Sequence, residues 1–423
     1  MVNFMKNIYK KGVVKISVFM TVLFIATMFM TGCENDTTPS LYDSAKPKGA
    51  TPEITALSPA GSALAGVSEI TITGNNFSAV KSENKVYFNG VLATVLDATP
   101  TQLKVKAPNL ILDDISVKIA VYKVADFSNV VTYNLKAAVE KVFDFKDFEV
   151  PNGLTTDADG NIYMSFTYQG GTGGTRKLTP SGTLSEWAPR GSETFHTALK
   201  WYKNEIYAAR RQKVLFKVAA GQKPTTYVSS NSLLGNIYDF DFDPDGNIWS
   251  GGDNTGNNSG VYRIKPDKSI KTFAFDGNIK SVRIFGEDLV NLYVYIAATQ
   301  NNEEAIFRAK IISADSLTAF EKVFSLTEKY GTDFPAVSAL AVTFAADGDM
   351  IIGTNMTDPV VVVHPNGSYE TLYPGLLGPN ALLFAWGPDN NLYYTREKTG
   401  TSAQVVMRVD MQKAGAPYYG RNN

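Results

Sequence analysis

The sequence predicts an all-β protein in which a small β-sandwich precedes a six-bladed β-propeller. Three observations lead to this fold class. No long apolar pattern of helical period follows the N-terminal segment. Between residues 51 and 137, short runs alternate apolar with polar residues, which is typical of half-buried strands. From residue 138 onward one strand–turn–strand unit recurs, and its best-preserved copy is Asp239–Trp249.

Length and composition indicate a globular protein of two or three domains. The chain has 423 residues, of which 44% are hydrophobic and 12% aromatic. Its formal net charge is -1, and no Lys/Arg block follows the N-terminus. A general nucleic-acid binder needs a clustered cationic surface to neutralise phosphates, so this class is excluded.

The N-terminal 32 residues have the pattern of a bacterial signal peptide. Several lysines precede the apolar run Ile16–Met30, which at about 1.5 Å per residue is shorter than a bilayer core of roughly 30 Å. Thr31-Gly32-Cys33 then resembles the lipobox of bacterial lipoproteins. The resemblance implies that residues 1–32 are removed and that Cys33 is joined to diacylglycerol. The alternative is an ordinary signal peptide or anchor with a chance cysteine.

Residues 33–50 are predicted to form a flexible linker after the lipidated Cys33. They are polar, contain prolines and glycine, and have no periodic apolar face. Glu34 and Asp36 resemble signals that sort some lipoproteins to the outer membrane. We therefore expect a protein of the cell envelope, lipid-anchored in the outer membrane and facing either the periplasm or the surface. Cys33 is the only cysteine, so a lipidated chain has no disulfide.

Residues 51–137 are predicted to form the sandwich. Ile70–Thr73 alternates, and Asn89-Gly90 is a strong hairpin signal between Val86–Phe88 and the strand that begins at Val91. Further alternating runs follow around residues 103–105, 115–121 and 131–135. The segment resembles the IPT/TIG immunoglobulin-like family through Leu57-Ser-Pro59, the run from Ile70 to Phe77 and the run from Val86 to Gly90. That resemblance implies a spacer or an interaction module without catalytic residues.

Residues 138–423 contain six copies of the repeated unit. Four carry an Asp-Gly or Asp-Asn turn, with turn centres at Asp159, Asp245, Asp347 and Asp389. The gaps are 245 − 159 = 86, 347 − 245 = 102 and 389 − 347 = 42 positions, so the first two are double steps. Weaker copies fill them, at Ala198–Tyr207 and, with an insertion, at Val282–Tyr293. A repeat of about 40 residues with several short strands predicts a propeller.

The D-G-N-I-Y and D-P-D-G-N-I-W elements resemble NHL-type six-bladed propellers. Later in the units, strands end in Pro turns, as in Arg176–Gly182, Val261–Lys268 and Val360–Gly367. The alternating segment Lys141–Lys146 is predicted to add an outer strand to the last blade and close the ring. Closure removes exposed strand edges.

Two motifs suggest ligands that the surrounding sequence does not favour. Asp241, Asp243, Asp245 and Gly246 match D-x-D-x-D-G of a calcium loop, but position twelve is Gly252 and no helices flank it. We predict instead a turn whose carboxylates accept backbone N–H groups. Gly170–Thr175 mimics a phosphate-binding loop but lacks its Lys and helix, so a flexible loop between two strands is expected. We predict no cofactor and no metal.

Candidate ligand-binding residues flank the predicted inner strands, on the rim where propellers commonly bind ligands. Asn, Tyr and Arg side chains there suit hydrogen bonding and stacking against a polar ligand such as a sugar. A solvated rim without ligand is the alternative. The residues are Asn152, His196, Arg210, Arg211, Tyr238, Lys280, Asn355, Asn380 and Arg396.

The sequence favours a binding module over an enzyme. The expected partners are the membrane, through the lipid, and a glycan or protein on the channel face. Propeller lyases and lactonases of related fold use a metal or a His with carboxylates, and this chain offers His196 alone. The geometry of its Pro turn alone explains the position of His364. No catalytic residue is predicted, and a hydrolase or lyase acting at the same channel stays as the alternative.

Overall fold

The computed structural model describes residues 49–168, 171–192, 195–253, 260–331, 336–398 and 404–420. The chain forms two compact units. One comprises Ser68–Leu135 with the residues up to Ala63, and the other comprises Leu64–Val67 and the chain from Lys136 onward. None of the helices in the described ranges is long and apolar enough to cross a membrane. Cys33 and the predicted signal peptide lie outside the described residues.

The first unit is built from eight strands and a short 3-10 helix, Lys81–Glu83. Their order in the sheet is β1-β3-β6-β5-β4-β7-β8-β2. The fifth strand pairs with the fourth through Val91–Ala93 and with the sixth through Thr94–Thr99, so it joins two half-sheets. The strands are β1 Glu53–Ser58, β2 Ser62–Leu64, β3 Glu69–Asn75, β4 Asn84–Phe88, β5 Val91–Thr99, β6 Gln102–Lys106, β7 Leu112–Val121 and β8 Val131–Lys136.

Alternation along these strands buries one face of each half-sheet. Ile72, Phe88 and Ile119, for example, are fully buried, whereas their neighbours in sequence are more exposed. The Asn89-Gly90 hairpin is confirmed, since both residues have positive φ, 45° and 85°, as a two-residue type I′ turn requires. The predicted sandwich is therefore confirmed.

The second unit is a six-bladed propeller, as predicted. Each of the first three blades and the fifth has four antiparallel strands in sequence order. The blades are β10 Glu149–Thr156, β11 Ile162–Tyr168, β12 Gly171–Leu178 and β13 Leu184–Ala188; β14 Ala198–Tyr202, β15 Glu205–Ala209, β16 Val214–Val218 and β17 Thr225–Ser229; β18 Asp239–Phe242, β19 Ile248–Gly251, β20 Gly260–Ile264 and β21 Ile270–Ala274; and, as the fifth, β27 Ala339–Phe344, β28 Met350–Thr354, β29 Val360–Val363 and β30 Tyr369–Thr371.

The fourth blade is larger than the others, and its additional elements follow β24 rather than lying within Val282–Tyr293, where the sequence predicted an insertion. Its strands are longer, its outer position is shared by two short strands that both pair with β24, and a helix of five residues follows. The elements are β22 Asn278–Gly286, β23 Leu292–Gln300, β24 Glu303–Ser313, β25 Ser316–Leu317, β26 Glu321–Ser325 and α1 Leu326–Tyr330.

The sixth blade closes the ring by pairing the start of the propeller with its end. Strand β9, Val139–Asp144, pairs antiparallel with β33, Val405–Asp410, as the outer strand beside β31 Ala381–Trp386 and β32 Asn391–Arg396. The prediction that Lys141–Lys146 closes the ring is confirmed, with the strand beginning two residues earlier.

Aromatic side chains stack where neighbouring blades pack. Tyr202 stacks on Phe242 at 4.2 Å between ring centroids, and Phe285 stacks on Phe344 at the same distance. These pairs join blades 2 and 3, and blades 4 and 5. Trp249 is fully buried.

The Asp-Gly turns are held by buried carboxylates. Asp243 accepts from the backbone N–H of Asp245 and Asn247, at 3.1 and 2.9 Å. Its second oxygen accepts from Asn247 Nδ2 and from the indole Nε1 of Trp249, both at 2.8 Å. Asp157 makes the same set of bonds in blade 1, with the Tyr163 hydroxyl in place of the indole. The interpretation of Asp243 as a turn carboxylate is confirmed.

The expectation of a flexible loop at Gly170–Thr175 is wrong for residues 171–175. They belong to β12, and Thr175 pairs with Ser165 of β11. A Cβ on Gly173 would lie 2.0 Å from the Phe166 ring, and Gly174 has a φ of 87°. The glycines therefore let the strand bend over an aromatic ring. Gly170 itself lies outside the described residues.

Candidate functional site

Charged side chains line the central channel of the propeller. Lys200, Asp239, Asp241 and Arg283 occupy alternate positions on the inner strands β14, β18 and β22. Alternate residues of a strand share a face, so these side chains point away from the apolar face, where Phe240 and Phe242 pack. The first three are buried, and the Arg283 side chain is largely so.

Asp239 is the centre of the channel cluster Lys200–Asp239–Asp241–Arg283. It accepts from Arg283 NH1 at 2.7 Å, from Ser281 Oγ at 2.9 Å and from the Val282 N–H at 3.0 Å. Lys200 Nζ lies 3.4 Å from its other oxygen. Burial opposes ionisation, but the two cations outweigh it and lower the pKa of Asp239 to about 2. The cluster thus joins blades 2, 3 and 4.

Two of the other three ionisable groups of the channel cluster, Asp241 and Lys200, have pKa shifts dominated by burial. Asp241 accepts from the Ile284 N–H at 3.0 Å, yet burial raises its pKa. Burial, together with the nearby Arg283, lowers the pKa of Lys200. Two cations balance two carboxylates, so the cluster has no excess charge to attract an ion.

The channel is closed at the end where the Asp-Gly turns lie. Ala416 N–H donates to Phe344 O at 3.0 Å, the Tyr418 hydroxyl donates to Trp201 O at 2.7 Å, and Gly415 packs on the Trp386 ring. The cavity enclosed there measures about 60 Å³, and a second one next to it about 20 Å³. These volumes suit a few water molecules rather than an organic ligand.

Two of the candidate rim residues meet in a cluster with Asp253. The Arg211 guanidinium lies over the Tyr238 ring at 5.0 Å, and its Nε is 3.3 Å from Asp253 Oδ2. Asn236 Nδ2 donates to the other oxygen of Asp253 at 2.9 Å. Burial, although opposed by Arg211, raises the pKa of Tyr238, and a hydrogen bond with Asp253 adds to this. We call Arg211, Asn236, Tyr238 and Asp253 the rim cluster.

The rim cluster is built before any ligand arrives. The Asp253 side chain is 10% exposed and fixes Arg211, whose side chain is 53% exposed. Arg211 donates to Asp253 through Nε, and its side chain is half-exposed, so the guanidinium can offer further N–H donors to a ligand. One face of the guanidinium rests on Tyr238, and the arrangement can stack a flat ligand and bind its oxygens.

His196 is buried rather than presented on the rim, which corrects the expected placement. Its ring is 1% exposed and lies 6.4 Å from Phe216, the same ring that Arg210 covers at 5.8 Å. Burial, with a contribution from Arg210, lowers the pKa of His196 to about 4. The hydrolase or lyase hypothesis therefore finds no exposed general base at this position.

The other candidate rim residues are bonded within the protein. Lys280 Nζ lies 2.8 Å from Glu304 Oε1, in a partly buried ion pair. Asn355 Nδ2 donates to Ala336 O at 2.9 Å. Asn152 and Asn380 donate to Thr167 and Glu397. Arg396 packs over Gly378, where an added Cβ would lie 2.7 Å from its Cδ.

The channel cluster is not among the predicted site residues because the D-x-D-x-D-G pattern led to the assignment of Asp241 to a turn. The signal was present: Asp239-Phe-Asp-Phe242 alternates charge with aromatic residues, Lys200 interrupts an apolar run, and Arg283 interrupts the apolar run Val282–Phe285. Alternation on an inner strand places one set of residues in the channel. Among the described residues, no group of three or more His, Cys, Asp or Glu side chains is placed to hold a metal ion.

Comparison with known proteins identifies the first unit. Residues 52–135 match the family model described as IPT/TIG domain. The sandwich is an IPT/TIG domain. It is thus immunoglobulin-like, in agreement with the predicted fold class. No curated protein matches the chain.

Similar solved structures include proteins from Bacteroides and from Staphylococcus aureus. One, described as a candidate phosphatase from Bacteroides thetaiotaomicron, has 12% identity and a TM-score of 0.53, and the match covers 87% of this chain and 98% of that one. An auxiliary nutrient binding protein from the same organism has 12% identity and a TM-score of 0.49, with the same coverage. A virginiamycin B lyase from Staphylococcus aureus has 12% identity and a TM-score of 0.44, covering 65% and 88%. At 12% identity, the likeness to the first of these structures shows a similar fold and nothing about function.

Proposed function

We propose that this chain is a cell-envelope lipoprotein that binds a glycan at the rim cluster of its propeller. The observation that carries the proposal is the half-exposed Arg211 guanidinium, stacked on Tyr238 and fixed by the buried carboxylate of Asp253. Such a pair combines an aromatic-like surface with outward donors, which is the combination that a ring bearing hydroxyl or carboxylate groups needs.

The rim cluster supports a binding function more than a catalytic one. It contains one carboxylate, and that carboxylate is already bonded to Arg211 and Asn236. Glycoside hydrolysis, by contrast, usually needs two carboxyl groups facing the substrate, one of them able to donate a proton. Capture without turnover is the function that this geometry supports best.

Attachment to the envelope rests on the sequence of the first 50 residues. The lysines, the short apolar run and Thr31-Gly32-Cys33 support a lipid at Cys33, and Glu34 with Asp36 supports the outer membrane. A polar linker to residue 50 then separates the lipid from the IPT/TIG domain, for which we propose a spacer role. A tethered protein of this kind would retain a glycan at the membrane.

The test is a titration of the purified full chain in detergent with neutral and uronic-acid oligosaccharides. We expect binding, and we expect Tyr238→Ala and Arg211→Ala each to weaken it about fivefold, since stacked cation–aromatic contacts contribute on the order of 1 kcal/mol. Lys268→Ala is the matched control. Lys268 also lies over a tyrosine, at 5.4 Å from the Tyr227 ring, but on a turn outside the rim cluster.

Two results would count against this function. If no oligosaccharide binds the full chain, or if binding is unchanged in both rim variants, the rim cluster is not a glycan site. If a protein isolated with the full chain is released by Tyr238→Ala while all oligosaccharides fail, the ligand of the same face is a protein instead.

A further inference from the structure

A large groove lies on the perimeter of the propeller, between blades 3 and 4. It measures about 770 Å³, within the usual range of ligand sites and far above the two channel cavities. One wall is the end of β21, Thr272–Ala274, and the other is Leu317–Phe320 of blade 4. The buried rings of Phe275 and Phe307 form its base.

The hairpin formed by the end of β24 and by β25 in blade 4 holds this groove open. The tip of this hairpin brings Asp315 to blade 3, where its carboxylate pairs with Arg263 and lies 2.9 Å from Lys265 Nζ. Lys271 Nζ donates to the Asp315 backbone oxygen at 2.6 Å, and Arg263 Nε donates to Ala314 O. Because three cations of blade 3 converge on one loop of blade 4, the two walls have a fixed separation.

The β21 wall presents unpaired backbone groups. β21 is the outer strand of blade 3, and among the described residues it pairs only with β20. Lys265 N–H donates to Ser269 O, so by alternation Val261–Phe273 is also a hydrogen-bonded pair, whereas Tyr262–Thr272 and Gly260–Ala274 are not. The N–H and C=O groups of Thr272 and Ala274 therefore point away from β20.

The base and the far wall of the groove can receive every second side chain of an extended peptide. Phe275 packs edge-on against Phe307 at 5.2 Å and against Phe320 at 5.3 Å, and Leu317 and Phe320 are only half-buried. The charged residues of the lining are Asp276, Glu303 and Lys322, with an excess of one negative charge. Apolar side chains on one face of a strand, with a basic residue at one end, complement this surface.

We propose that this groove binds an extended peptide segment of a partner protein, which adds as a further strand to the free edge of β21. Main-chain hydrogen bonds to Thr272 and Ala274 provide affinity, and the aromatic base selects every second side chain. An oligosaccharide is the less suited occupant because it cannot continue a β-ladder. The site is separate from the rim cluster, so either can fail without the other.

The test uses the purified full chain and a bead-displayed library of random decapeptides. We expect retained peptides to alternate apolar with polar residues and to carry a Lys or Arg at one end. Ala274→Pro removes one outward N–H without touching the β20 ladder, and edge strands tolerate proline there. It should weaken the binding of retained peptides about tenfold or more, and Phe320→Ala should do the same.

The control variant is Thr371→Pro in blade 5. His364 N–H donates to Ser368 O and Leu372 N–H to Val360 O, so Thr371 likewise has an outward N–H on an outer strand. Its edge does not face the groove, and peptide binding should be unchanged. Arg211→Ala should also bind the peptides normally.

Three outcomes would overturn the proposal. The first is that no peptide is retained. The second is that Ala274→Pro and Phe320→Ala, both checked for native circular dichroism, bind the peptides like the parent chain. The third is that oligosaccharides displace the retained peptides, which would make the groove a glycan site.

Discussion

At the scale of single residues, the buried turn carboxylates are the clearest determinants of blade stability. Asp243 accepts four hydrogen bonds, two from the backbone, one from Asn247 and one from the indole of Trp249. Asp243→Ala leaves the indole N–H and the turn amides without an acceptor in a buried place. We expect a loss of about 2–4 kcal/mol in the free energy of unfolding, measured with urea.

Two further variants separate this effect from a general sensitivity of the turn. Asp157→Ala removes the equivalent carboxylate of blade 1 and should cause a similar loss. Asp245→Ala removes the exposed neighbouring carboxylate and should have little effect. Equal losses in Asp243→Ala and Asp245→Ala would contradict the role assigned to Asp243.

His196 should make stability depend on pH in a predictable direction. Burial lowers its pKa to about 4 in the folded chain, against about 6.5 when unfolded. Between these values the unfolded chain holds a proton that the folded chain lacks, so the free energy of unfolding falls as the pH is lowered through this window. From pH 7 to pH 5 we expect His196 to contribute a loss of about 2 kcal/mol.

The comparison that isolates this contribution is His196→Gln, measured by urea unfolding at pH 7 and pH 5. The variant should lose about 2 kcal/mol less than the parent chain over that interval, whatever its stability at pH 7. An identical pH dependence in both proteins would mean that folding does not lower the pKa of His196.

The sequence indicates which residue types lie near the rim, but it does not indicate which of these side chains bond to the protein and which face a ligand. Asn152, Lys280, Asn355 and Asn380 are bonded to residues of neighbouring strands and loops. Whether a polar side chain faces ligand or neighbour depends on which loop packs beside it, and these neighbours lie 15 to 24 positions away in the chain. A single sequence does not encode that choice locally.

At the scale of elements, periodicity predicted the strands well because each has one buried face. The weak copy at Ala198–Tyr207 forms β14 and β15, joined by Lys203 and Asn204 with φ of 48° and 64°. Glycine residues were a less reliable signal of local structure than the alternation of apolar and polar residues. Gly173 and Gly174 resemble a loop in sequence, but serve a bent strand that passes close to Phe166.

One added side chain at Gly415 should displace the segment that closes the channel. A Cβ on Gly415 would lie 2.3 Å from Trp386 Cγ, and neither the ring nor the β31 backbone beneath it has room to move. Gly415→Val should displace the segment around Ala416 and Tyr418, and expose Trp386 to water. We expect a red shift of tryptophan emission and increased quenching by acrylamide.

Ala414→Val is the control for this displacement, since Ala414 is exposed and next in sequence. It places the same side chain one position earlier but should leave the emission unchanged. If Gly415→Val behaves like Ala414→Val, the segment is not held by its contact with Trp386.

At the scale of the whole molecule, the fold class follows from the sequence because two independent periodicities determine it. The period of two gives the strands, and the period of about 42 residues gives the blades. The ion-pair cluster of the channel joins strands from three blades, Lys200 in the second, Asp239 in the third and Arg283 in the fourth. Such contacts depend on ring closure, which no local window of sequence contains.

The proposed anchoring at Cys33 gives the last prediction. Cells grown with a labelled fatty acid should incorporate the label into the parent chain, and Cys33→Ser should abolish it. Peptides from residues 1–32 should be absent from the mature protein by mass spectrometry, because the segment before a lipidated cysteine is removed. Fractionation alone would not decide the matter, since an unprocessed Cys33→Ser chain keeps its apolar segment, Ile16–Met30, and stays with the membrane.

Ser40→Ala provides the control, because Ser40 is a second small side chain with a nucleophilic group in the same linker. It should incorporate label like the parent chain. Label in Cys33→Ser, or an intact N-terminal segment in the mature parent chain, would favour the ordinary signal peptide or anchor instead. A single acyl chain holds a protein only marginally at a bilayer and two or more hold it stably. The mass added at Cys33 therefore also decides whether the propeller is durably retained at the membrane.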